Sequence, residues 1–211
     1  MGFQHRFGSL VVLFAVSLVA LPVAGEEEIV PPQDAADTAD AETMARLMEL
    51  GKPGPEHDRL ASLVGTWQEN VMMRAAPGTE PMTAVGRCTN RMILGGRFLR
   101  SECESEDGPR KVEGLIIFGF DRRGGAYTMV GFDTMGTYYI TAAGPWDEDR
   151  EAIVMSGEDE DPVNGFVRRY DLVLRPEGDD RYVTEVYFKN PEPTGDVDAV
   201  KMVEIELTRV E

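Results

Sequence analysis

From Trp67 onward the chain alternates. Trp67, Glu69, Val71 and Met73 stand on one side of a period-two pattern, and Gln68, Asn70, Met72 and Arg74 on the other. That spacing is a strand with two unlike faces. Further strands are predicted over about 82–94, 97–104, 112–120, 126–133, 137–142, 152–156, 166–174, 182–188 and 200–210. Pro77-Gly78, Asp107-Gly108-Pro109, Arg123-Gly124-Gly125 and Gly144-Pro145 punctuate them as turns,. Within 112–120, Gly114 and Gly119 mark bends or close backbone approach,. The acidic stretch 157–162 reads as a loop. About ten strands on short connections, with no helix among them, predict an all-β protein. Its architecture is an antiparallel up-and-down meander, and one this long hides its edges best by closing into a barrel.

Two apolar runs meet at Gly95-Gly96. Adjacent glycines suit the two-residue hairpin turn in which both residues take positive φ. With that turn as the centre of symmetry, Cys88 falls opposite Cys103. The register predicts a hydrogen-bonded pair with Cα atoms about 5.5 Å apart, inside the range a disulfide spans.

Before Trp67 the period lengthens. A helix is predicted over residues 41–50, with Met44, Leu47, Met48 and Leu50 toward one face,. Gly51 stops it, and Pro53-Gly54-Pro55 turns the chain. Pro55 then opens a second short helix lined by Leu60, Leu63 and Val64 and ended by Gly65,. Residues 26–40 are acidic and poor in apolar side chains, which reads as a disordered linker,.

The first 25 residues carry another pattern. His5 and Arg6 precede an apolar run over 10–21, then Pro22 and the small residues Val23-Ala24-Gly25. Charge, apolar run and small residues in that order make a secretory signal. The run is short for a membrane span, and Pro22 interrupts it, so cleavage is expected and no stable membrane insertion of the mature chain. No cysteine stands at the cleavage site to carry a lipid. The predicted organisation is a signal over 1–25, an acidic linker and short helix over 26–53, and a barrel domain over 54–211. Export to the periplasm or beyond makes the cysteine pair a disulfide rather than two thiols.

Composition narrows the function. The chain has 211 residues, an apolar fraction of 42% and a formal charge of −17. The apolar share supports a packed core. The charge excludes nucleic acid, whose phosphates require a basic surface, and disfavours docking on anionic lipid. Of two histidines, His5 leaves with the signal. His57 alone, read as a surface residue, makes neither a haem site nor a zinc cluster, and no nucleophile elbow accompanies it. No cofactor is expected.

The segments Gly54-Pro-Glu-His-Asp-Arg-Leu, Leu63-Val-Gly-Thr-Trp67, Gly86-Arg87, Leu94-Gly-Gly-Arg-Phe-Leu99, Glu113-Gly114 and Gly119-Phe-Asp121 carry a resemblance. The helix and the Gly-Thr-Trp opening of a meander resemble the lipocalin and fatty-acid-binding superfamily. More closely, residues 54–210 resemble a bacterial family of unknown function, number 1579. The resemblance implies that Trp67 packs at the closed end of the barrel under Arg209. It implies no activity.

Candidate chemistry is sparse. Asp121 and Asp133, in two copies of Gly-Phe-Asp, sit at strand ends where aspartate stabilises turns, with a calcium or acid–base role as the alternative,. Phe166, Arg168, Tyr170, Leu172 and Leu174 share a strand face that is mostly apolar, which points Arg168 inward,. A buried arginine needs an anion. Three readings stay open: Arg168 and Tyr170 hold a ligand carboxylate, as an Arg-x-Tyr pair does in fatty-acid-binding barrels; Arg168 pairs with a core carboxylate such as Glu185; or the opposite face is buried. Arg97 is a second candidate cation. The expected partner is a small lipophilic molecule, anionic or neutral, in the barrel. An enzyme acting on such a ligand and an interaction module with a filled barrel are the alternatives. The eleven methionines fit a plastic pocket or a well-filled core equally,.

Overall fold

The computed structural model describes residues 33–105, 111–160, 165–189 and 199–210, with side chains from residue 40 onward. Its strands are β1 (Gly65–Met73), β2 (Met82–Ile93), β3 (Phe98–Ser105), β4 (Glu113–Asp121), β5 (Ala126–Asp133) and β6 (Tyr139–Gly144). The two-residue β7 (Trp146–Asp147) follows, then β8 (Ala152–Glu160), β9 (Val167–Pro176), β10 (Arg181–Lys189) and β11 (Ala199–Arg209). Neighbours in sequence pair antiparallel, β1 pairs with β11, and β6 reaches past β7 to pair with β8. Ten strands therefore close an up-and-down barrel, and β7 is an extra strand on β8. Closure removes the free edges that an open meander would expose.

The Gly-Gly register holds, and the turn is longer than two residues. Cys88 pairs with Cys103 and Ile93 with Phe98. The loop is residues 94–97, with Leu94, Gly95 and Gly96 all at positive φ (50°, 66° and 81°). Two extra loop residues on the same centre shift the hydrogen-bonding alternation by one. Cys88 and Cys103 are bonded as a disulfide with Cα atoms 4.0 Å apart, the close spacing of a non-hydrogen-bonded pair rather than about 5.5 Å,.

The acidic stretch predicted as a loop is a strand through Glu160. Its charges are met across the ladder, where Arg169 Nε lies 2.8 Å from Glu158 and Arg168 Nη2 lies 2.6 Å from Asp159. Opposite charges on facing strands stabilise a pairing that composition alone disfavours. Asp121 and Asp133 have the predicted turn role, accepting from the backbone N–H groups of Arg123 and Met135. An added Cβ at Gly119 would lie 2.8 Å from the Phe98 ring, so close approach does require glycine there.

Helix α1 spans Gln33–Leu50, so residues 33–40 of the expected linker are helical. Ala35, Ala36 and Ala39 are strong helix formers, and Gln33 is a good one,. Met44, Leu47 and Met48 are exposed. By its contacts the chain divides into Met1–Glu42 and Thr43–Glu211, and the barrel with its short helix belongs to the second unit. The expected signal and residues 26–32 lie outside the described residues, as does the turn at 107–109. No helix among the described residues is long and apolar enough to cross a membrane.

Helix α2 (Pro55–Ala61) packs at one end of the barrel, with Leu60 fully buried and Leu63 nearly so. His57 corrects the surface reading: it is 5% exposed. Its Nδ1 accepts from Gly54 N–H (3.0 Å), and its ring stands edge-on to Phe120. The residue caps the start of α2 and fills the closed end.

Candidate functional site

Cross-strand partners share a face, so the register sorts inside from outside. Trp67, Cys88, Cys103 and Gly114 face inward together across β1–β4. On β1, β3, β10 and β11 the inward side chains change character along the barrel. Trp67, Leu99, Ser101, Tyr182, Thr184 and Leu207 are buried at the α2 end. Val71, Cys103, Val186, Phe188, Val203 and Ile205 are only partly buried toward the other end. Inward residues that still meet solvent define a mouth. From Glu69 to Met73 on β1 is about 13 Å of strand, which sets the depth of the opening.

The closed end is tightly made. The Arg209 guanidinium lies 4.1 Å over the Trp67 ring. It donates to the carbonyls of Val64 (2.6 Å) and Ser62 (3.1 Å), which follow α2. A cation at a helix C-terminus also answers the helix dipole. Trp67 Nε1 donates to Leu63 O (3.0 Å), and Tyr182 stands edge-on to the indole at 4.7 Å. Asn90 Nδ2 donates to Leu63 O and to the Tyr182 hydroxyl, both at 2.9 Å. Burial pushes the Tyr182 phenol well up, so it stays protonated.

The three predicted ligand residues do not converge. Arg97 is exposed at the closed end, where it donates to Gly51 O (2.8 Å). Arg168 and Tyr170 lie together near the mouth on β9. Arg168 is ion-paired to Asp159, not Glu185, and stacks over Phe188 at 4.8 Å. Glu185 pairs instead with Lys201 at 2.9 Å and Arg175 at 3.6 Å. The Tyr170 hydroxyl donates to Thr141 O (2.9 Å), closing over Gly157, where an added Cβ would sit 2.5 Å from the phenol. Desolvation, helped by the Asp159 charge, raises the Tyr170 phenol to about 12.

One interior group escaped the sequence reading. Glu69 faces inward one step above Trp67, opposite Gly86 and Leu207. Its carboxylate lies against the Cys88 sulfur of the disulfide. A disulfide sulfur carries no proton to donate. Among the described residues no cation pairs with Glu69, and burial pushes its carboxyl above the ordinary range. The signal was present in the alternation, which puts Glu69 on the face of Trp67.

A concavity of about 790 Å³ lies mainly outside the barrel, over β2–β5, between Arg87, Arg91, Glu102, Glu113, Leu115 and Phe132. Several of its charges answer one another: Arg91 meets Glu102 at 2.7 Å, and Lys111 meets Glu104 at 2.6 Å and Glu113 at 3.2 Å. These mutual pairings make it a solvated, charge-compensated face, and the apolar inward side chains near the mouth are the better candidate for a lipophile.

Comparison with known proteins places this geometry. The sequence matches the family described as "Protein of unknown function (DUF1579)" over residues 52–209. No curated protein matches. Among solved structures, Rv2717c from M. tuberculosis is similar, with a TM-score of 0.55 and 15% identity over 76% of this chain and 100% of that one. At that identity the likeness is one of fold.

Proposed function

Since the chain belongs to the DUF1579 family, whose description carries no activity, we propose from the site itself that the protein is an exported carrier of a small lipophilic molecule. The molecule lies inside the barrel, entering at the mouth and resting above Trp67. One observation carries this reading: the inward apolar side chains near the mouth, Val71, Ile116, Ile140, Val186 and Ile205, are only partly buried. A filled barrel would bury them. Covering such surface is favourable at roughly 25 cal/mol per Å², and barrel mouths commonly bind small ligands.

Export is supported by the Cys88–Cys103 bridge, which persists in oxidising compartments,, and by the order of charge, apolar run and small residues over 5–25,. Arg168 and Tyr170 line the mouth and take part as its wall.

The test is native mass spectrometry of the protein recovered from the periplasmic or secreted fraction. The expected species starts at Glu26 and carries a recurrent adduct that extracts into organic solvent. An intact N-terminus on protein confined to the cytoplasm contradicts export. Protein that is always adduct-free and takes up no added lipophile contradicts the carrier role.

A further inference from the structure

We infer that the head group selected by the barrel is a protonated amine, held by the Glu69 carboxylate against the Cys88–Cys103 disulfide. This inference rests on the carrier reading and specifies its ligand.

Charge inside the barrel is unbalanced at Glu69. Interior donors elsewhere have partners: Asn90 Nδ2 donates to Leu63 O and Tyr182, though the neutral Oδ1 of the same amide meets none among the described residues, Tyr170 donates to Thr141 O, and Arg168 meets Asp159. Among the described residues the charged Glu69 has only the disulfide sulfur. A carboxylate taken partly out of water without a cation or a donor is costly, and a ligand ammonium entering above it relieves that cost. The carboxyl is within reach because Glu69, like Val71 above it, is only partly buried.

Arg168 is the guanidinium placed to greet a ligand carboxylate, and it already lies 2.6 Å from Asp159. An incoming acid would have to displace that partner. An incoming amine passes a neutralised pair and finds an open carboxylate below.

The field of the whole chain acts in the same direction. A formal charge of −17 attracts cationic ligands and repels anionic ones,. Above Glu69 the wall is apolar, with Val71, Met73, Val186 and Ile205 facing inward. A cationic head beneath a lipophilic body matches that order of groups.

Calorimetric titration of the full chain with dodecylamine, dodecanol and dodecanoate, each below its aggregation limit at neutral pH, decides the matter. The amine is expected to bind about tenfold or more tighter than the alcohol, the gain of one charge-assisted hydrogen bond. The alcohol should bind tighter than the acid. Glu69→Gln should remove most of the amine's advantage. A variant that does not melt cooperatively is set aside, because the three head groups on the natural chain decide the question without it. The inference is overturned if the alcohol or the acid binds as tightly as the amine. It is also overturned if a folded Glu69→Gln chain keeps the amine preference, which would place the cation on the acidic exterior. Binding of the alcohol with no amine advantage leaves the carrier reading standing, whereas binding of none of the three removes both.

Discussion

Replacing Trp67 by alanine is expected to lower the free energy of unfolding by about 3–5 kcal/mol, the usual cost of emptying a buried aromatic site. Trp67 is 1% exposed and forms the floor between α2 and the barrel. Its removal leaves a void under Tyr182, takes away the N–H donated to Leu63 O, and strips the ring from beneath Arg209. The guanidinium contact adds roughly 0.5–2 kcal/mol in such settings. Arg209 keeps its backbone carbonyls, so the closed end should loosen rather than come apart. Trp67→Phe isolates the ring from the N–H and should cost less, about 1 kcal/mol from the lost bond plus a smaller void. Denaturant titration reads both: the midpoint falls while the slope stays constant. A loss below about 1 kcal/mol for the alanine variant would mean that the indole does not hold the closed end.

The second large effect is expected from the disulfide. Cys88 and Cys103 are 15 residues apart in sequence, and closing a loop of that size contributes about 3 kcal/mol through the unfolded chain,. For a chain of this length that corresponds to roughly 6–12 °C in melting temperature. Replacing both cysteines by serine should therefore lower the melting temperature by that much while the fold persists, because the β2–β3 register is also set by the loop at 94–97 and by the pairing of Asn90 with Ser101 and Met92 with Leu99. The comparison runs unreduced natural chain against variant, and reducing agent should affect only the former. An unchanged melting temperature would show that the bridge constrains nothing the ladder does not already fix.

The fold was open to reading because its devices are local. Period-two alternation marks the strands, and the symmetry about Gly95-Gly96 pairs the cysteines even though the loop has four residues rather than two. What stayed hidden depends on pairing across the barrel. The acidic run at 157–160 looks like a loop until Arg168 and Arg169 are placed beside it. His57 stands three residues before Leu60 on the buried side of α2, but a seven-residue helix is too short for its pattern to speak. Glu69 is the instructive case. The same alternation that turns Trp67 inward turns Glu69 inward, so its position was legible. Its lack of a cation was not, because that follows from which strands close the barrel around it. Arg168 shows the converse: its inward direction was readable from β9, and its partner Asp159 required β8.

The lipophile is expected inside the barrel, and its location can be read directly. The measurement is the anomalous scattering of bromine in crystals grown with 12-bromododecanol, whose hydroxyl keeps the probe neutral. With the hydroxyl toward Glu69, a bromine peak is expected at the mouth end of the barrel, among Met73, Val186, Phe188 and Val203. A peak only on the outer face, beside Leu115 and Phe132, would contradict it and move the binding site to the exterior groove.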